Sequence, residues 1–226
     1  MENENKKINP YLIIIIVLVL VVGGFAYDKW GKGFLSVSVK DVEEEENINV
    51  DTDISDEDIV IGNNNAPVTI VEYYSYFCGY CKLFHDDTYS KIVENYISTG
   101  KVKYVFRSFP PYELGASVLC ANEQGKFLEY HDELFEKAGE LQAADDLKVL
   151  AKNAGLNEGE FNQCLDSQKY LVQSQNWYTQ ADADFDKAGV PEEQRGTPTF
   201  FINGEMLIGA QPYENFVEVI ERKLGE

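Results

Sequence analysis

"VTIVEYYSYFCGYCKLFH", Val68 to His85, runs from a β-branched apolar stretch through aromatics into two cysteines set two residues apart. Val68, Ile70 and Val71, opened by Pro67 and followed by aromatics, read as a buried strand. Beyond the cysteines, Leu83, Phe84, Ile92, Val93 and Tyr96 fit one broad face of a long, kinked helix. "KVKYVFRSFP", Lys101 to Pro110, is a second strand, stopped by the Pro110-Pro111 break. Strand, helix and strand make a βαβ unit. The cysteine pair stands where the first strand gives way to its helix.

The next eighty or so residues are helical in pattern. Phe127, Leu128, His131, Leu134, Phe135 and Ala138 recur at helical spacing, then Leu147, Leu150, Ala151 and Ala154, stopped by Gly155. Asn157 with Glu160 resembles a capping box ahead of Phe161 and Leu165. Leu171, Ser174, Tyr178, Ala181, Phe185 and Ala188 form a further helix that ends at Gly189. Strand signal returns in "TPTFFINGEMLIGA", two short strands around the Asn203-Gly204 hairpin signal. Pro212 then opens a last helix with Phe216, Val219 and Ile220 on one side. The order β-α-β, helical insert, β-β-α is a thioredoxin-type α/β layout with an all-helical domain spliced into it.

The close pair Cys78 and Cys81 has several rival readings. Covalent haem needs a histidine directly after the second cysteine, and Lys82 stands there. Structural zinc needs two close pairs or closely spaced histidines, whereas Cys120 and Cys164 are far apart and His131 stands alone. His85 and His131 lie beside apolar residues and read as packed side chains. A disulfide across two residues closes too short a loop to serve as a staple. Dithiol–disulfide exchange remains. At a helix N-terminus, free N–H groups stabilise the Cys78 thiolate, while Cys81, one turn in, points to the core. Glu72, six residues before Cys78, interrupts an apolar strand. Buried, it would have a raised pKa and could relay the proton of Cys81; facing water at a strand end, it would do neither.

With "LCANEQGKFLEYHDELF", "FNQCLDS" and "GTPTFFINGEMLIGAQPYENF" added to the opening stretch, the chain resembles the DsbA-like thiol-disulfide oxidoreductases of the thioredoxin superfamily. The resemblance implies an exported enzyme with Cys78 as nucleophile and Cys81 as resolver; no cofactor or metal is expected. It implies a cis bond between Thr197 and Pro198, which offers backbone to an incoming peptide, and it places Glu72 where the family carries a buried acid. Gly79 and Tyr80, between the cysteines, depart from the proline or histidine usual in strong oxidases, so a reductase or isomerase is the alternative. Residues 191–195, "PEEQR", look inserted ahead of the proline loop. Cys120 and Cys164 fall on apolar helical faces, and a branch of the family joins such a pair; two buried free thiols are the other possibility. A non-catalytic metal- or partner-binding module is the rival of another class.

The formal charge of −20 argues against a nucleic-acid partner. Ten acids and no base between Asp41 and Asp58 read as a solvated, self-repelling spacer. Tyr11 to Ala26 is uncharged and nearly long enough to cross a bilayer, with Lys6 and Lys7 before it. A retained anchor is the preferred reading; cleavage near Gly24 and Ala26 is the other. Expected divisions are a cytoplasmic stub and single transmembrane anchor over 1–27 and an acidic tether over 28–60. A thioredoxin-like domain follows over 61–111 with 190–226, and a helical insertion over 112–189. Expected partners are exported cysteine-containing polypeptides and a quinone-linked membrane redox protein, met on the outer face of the cell membrane.

Overall fold

The computed structural model describes Val50 and residues 52–226. The anchor and most of the tether expected from the sequence lie outside these residues. Among the described residues, no helix is long and apolar enough to cross a membrane.

The sheet begins with β1 (Ile59–Gly62) and β2 (Val68–Tyr74). A helical run over residues 79–97, α1, follows. It is α-helical over Gly79–Phe84 and Ser90–Ile92 and of the wider π type over His85–Tyr89 and Val93–Ile97. After β3 (Val102–Ser108) come five helices: α2 (Tyr112–Glu123), α3 (Phe127–Lys137), α4 (Ala144–Asn153), α5 (Glu158–Asp166) and α6 (Leu171–Lys187). The hairpin β4 (Thr199–Ile202) and β5 (Glu205–Ile208) and the helix α7 (Tyr213–Gly225) complete the fold.

The strand order is β1-β3-β2-β4-β5. β2 and β3 run parallel, as a βαβ unit requires, and the other neighbours are antiparallel. Side-chain alternation divides the sheet into two faces. Ile70 and Tyr74 of β2 join the main core with Cys81, Phe84, Tyr104, Phe106, Phe200 and Phe216. Val71 and Tyr73 face the other way, onto a smaller cluster with Val105, Phe185 and Phe201. Glu72 therefore points into the main core, on the same side as Cys81. Asn203 and Gly204 both take positive φ, 44° and 82°, as the tight hairpin turn demands. Asn157 caps α5, accepting from the Glu160 amide at 3.2 Å.

Two expectations need correction. Leu83 does not join the buried face of α1: it is 47% exposed, because it sits on the outer side of the helix, away from Phe84. The acidic spacer also does not run to residue 60. Asp58 is buried, with Oδ1 and Oδ2 taking Arg107 Nε and NH2 at 3.0 and 2.8 Å, and Ile59 is already the first residue of β1. Arg107, buried on β3, demands a counter-charge, and Asp58 supplies it. Trp177 of α6 adds a bond from Nε1 to Asp58 Oδ1 at 2.8 Å, and Val50 donates to the Gly204 carbonyl at 2.9 Å.

Candidate active site

Cys78 is the N-cap of α1. Its sulfur accepts from the Cys81 amide at 3.3 Å, and its carbonyl takes the Lys82 amide at 3.1 Å. Across the gap, the Cys78 thiol donates to the Thr197 carbonyl at 3.1 Å. Burial of the half-covered sulfur works against its ionisation. Hydrogen bonding from the Thr197 side chain, the Cys81 thiol and the backbone amides of Cys81 and Tyr80 outweighs it, so Cys78 ionises below the ordinary cysteine range. Once the thiol ionises, its bond to the carbonyl is lost and the donors remain.

Cys81, one helical turn on, is fully buried, with the Ser75 amide 3.5 Å from its sulfur. Burial first, and then the nearby Glu72 charge, push its thiol far above the usual range. The two sulfurs are thus chemically unequal, one able to leave as an anion and the other needing a proton. Cys78 and Cys81 are both free in this structure.

Glu72 is 3% exposed and accepts from the Tyr104 hydroxyl at 2.9 Å. Burial pushes its pKa up to about 8, opposed by the Tyr104 bond and reinforced by the charge on Cys78. The bland alternative of a solvated strand end does not hold, since β3 and β4 flank β2 on both sides at this position, Phe106 and Phe200 being its partners.

The Thr197-Pro198 bond is cis, and so is Pro110-Pro111, which the sequence reading took only as a strand stop. Pro198 is buried, its carbonyl taken by the Gly209 amide at 2.8 Å, while Gly79 and Tyr80 are exposed beside the sulfur, Tyr80 at 69%. The sequence reading missed Phe77, exposed directly before Cys78; with the exposed Tyr80 and Leu83 it leaves uncovered apolar surface at this end of α1. Their spacing of three, from the turn before Cys78 into α1, was the available signal. Cys120 and Cys164 lie elsewhere, joined by a disulfide between α2 and α5 with Cα atoms 5.8 Å apart. His131 is packed, its Nδ1 2.6 Å from the Tyr76 hydroxyl, and burial holds its pKa well below the ordinary histidine value. His85 bonds Asp132 through Nε2 at 3.0 Å. Among the described residues, no cluster of three metal-ligating side chains occurs.

The family described as Thioredoxin matches residues 54–222. The chain belongs to the thioredoxin family. Within it, the likeness is to DsbA-type proteins. The chain is 28% identical over 177 residues to the disulfide bond formation protein D of Bacillus subtilis, which is 73% of this chain and 76% of that relative. The alpha-DsbA1 of Wolbachia pipientis superimposes with a TM-score of 0.65 at 26% identity, covering 76% of this chain and 93% of that one. A Rickettsia bellii relative is 28% identical over 162 residues, 67% of this chain but 59% of its own length. The chain thus spans less than two thirds of that relative.

Proposed function

We propose that this protein is a thiol-disulfide oxidoreductase that oxidises cysteine pairs of exported polypeptides. The observation that supports it most is the inequality of Cys78 and Cys81 at one helix end, with Cys78 held against Thr197 and Pro198.

In its disulfide form, a substrate thiolate attacks Cys78 Sγ and the bond to Cys81 breaks. Cys81 leaves into a buried site where an anion is costly, so it takes a proton from the Glu72 carboxylic acid. A second substrate thiolate then attacks the substrate sulfur of the mixed disulfide and expels Cys78 as a thiolate, a good leaving group because its pKa is low. The substrate has lost two electrons and the enzyme holds them. Reoxidation runs the same proton back, from Cys81 to the Glu72 carboxylate. The Thr197 and Pro198 backbone and the exposed Gly79 and Tyr80 form the edge on which the peptide lies.

The oxidising direction follows from the thiolate: a stabilised reduced form makes a stronger oxidant. The Tyr11 to Ala26 stretch suits a single-pass anchor that holds the domain outside the cytoplasm. A quinone-linked membrane protein is the partner placed to reoxidise the pair there. The reductase or isomerase reading keeps the same residues, and Gly79-Tyr80 is the feature that favours it. Measuring the reduction potential of the Cys78–Cys81 pair decides: about −120 mV is expected of an oxidase, and a value near −270 mV would replace that direction with reduction. A reduced domain that binds zinc stoichiometrically and exchanges no disulfides would leave only a binding module.

A further inference from the structure

The inserted stretch ahead of the proline loop is held in place by its own last residue. Residues 192–194 form a single 3-10 turn, and Arg195 closes it. The Arg195 guanidinium donates from Nε to the Val190 carbonyl at 3.1 Å, from NH1 to Asp182 Oδ1 at 3.2 Å, and from NH2 to Asp186. It also lies 5.8 Å from the Phe185 ring centre. Asp182, Phe185 and Asp186 all belong to α6, the long helix of the insert. The Arg195 side chain is only 17% exposed.

Two residues further on, the Thr197 carbonyl stands 3.1 Å from Cys78 Sγ. Between them the Gly196 carbonyl takes Thr199 Oγ1 at 2.7 Å, and just past Thr197 the Pro198 carbonyl takes the Gly209 amide. Thr197 is therefore flanked by a tied carbonyl on each side, with Arg195 one residue further back. Resting on the oxidoreductase reading, we propose that Arg195 is a positioning residue, which ties the Thr197-Pro198 loop to α6 and so lets the helical insert set the distance between the peptide-binding edge and Cys78.

Asp182 and Asp186 are 46% and 71% exposed, so each ion pair alone adds little to stability. The value of the fork is geometric. One planar group reaches a carbonyl, two carboxylates and a ring together, which a lysine ammonium cannot do.

The test uses the full chain with Arg195→Gln and Arg195→Lys. Two quantities are read: KM for a cysteine-containing peptide, and the pH midpoint of Cys78 alkylation in the reduced protein. In Arg195→Gln, KM is expected to rise about five-fold, as the loop must be ordered on binding, with kcat little changed. The alkylation midpoint should move upward as the Thr197 side chain, a donor to the Cys78 thiolate, is drawn away with its loop, and Arg195→Lys should recover only part of either change. Asp182→Asn with Asp186→Asn should reproduce both changes and add nothing further in Arg195→Gln. Unchanged KM and midpoint in Arg195→Gln, or effects that simply add, would overturn the proposal, as would a lowered melting temperature with neither quantity altered. The alkylation arm needs no substrate. A wild-type protein that exchanges no disulfides would therefore sink the oxidoreductase reading while still testing the clamp.

Discussion

A carboxyl whose pKa climbs from 4.5 to about 8 on folding makes stability fall as pH rises, because the unfolded chain gives up its proton first. For Glu72 the loss begins near pH 4.5, grows through neutrality and levels off above 8. Cys78 works in the opposite sense: its lowered pKa adds stability once pH exceeds the folded value, up to that of a free thiol. Subtracting a Glu72→Gln variant isolates the carboxyl. Denaturant unfolding of the reduced protein at pH 5 and pH 8 should show wild type losing on the order of 3 kcal/mol relative to that variant. Parallel stability curves would mean that Glu72 stays ionised throughout. The acid was visible in the sequence only as an oddity in an apolar strand. Its burial depends on Tyr104 and on two flanking strands, which come from distant parts of the chain. Leu83 was misplaced for a related reason, since an apolar residue at helical spacing reads as core whether or not anything covers it.

At the scale of elements, α2 and α6 approach one another so closely at Gly115 that a Cβ there would lie 2.1 Å from Ser174 Oγ and 3.0 Å from Ser174 Cβ. Helix propensity alone says that Gly115→Ala should stabilise by about 1 kcal/mol. Overpacking against a fully buried serine costs about 1–3 kcal/mol and wins here. Thermal melts should show Gly115→Ala several degrees below wild type, with Ser174→Gly in the same chain restoring part of the loss. A variant that melts higher would show that the two helices separate freely. Local signals were strong for the hairpin at Asn203-Gly204 and for the Asn157 cap, where a few adjacent residues determine the backbone. β1 was not seen. "IVIG" is four residues long and follows a dense acidic run, and it becomes a strand only by pairing with β3. The wide turns of α1 were expected only as a kink.

Across the whole molecule, the segment from Val50 to Asp58 links the β4–β5 turn to the buried Arg107, which also donates from NH1 to the Tyr73 hydroxyl at 2.8 Å. A chain that starts at Val50 should unfold like the full protein. One that starts at Ile59 removes both Asp58 bonds and leaves Arg107 only the longer approach of Asp184 at 3.9 Å, and should lose about 3 kcal/mol in urea titration. Equal stabilities would reduce the strap to an ornament. Composition marked this segment as solvated because Asp58 is one acid among many in its neighbourhood, distinguished only by an arginine far along the chain. The concealment of Cys81 reaches beyond the site as well. Below about pH 8, where Glu72 regains from solvent the proton it gave, reduction deposits two electrons and fixes one proton on that sulfur, while Cys78 above its own midpoint takes none. The couple should then drift by about 30 mV for each pH step, half the slope of an ordinary dithiol. Acidifying its surroundings would make the same molecule a harsher acceptor of electrons, with no ligand or modification involved.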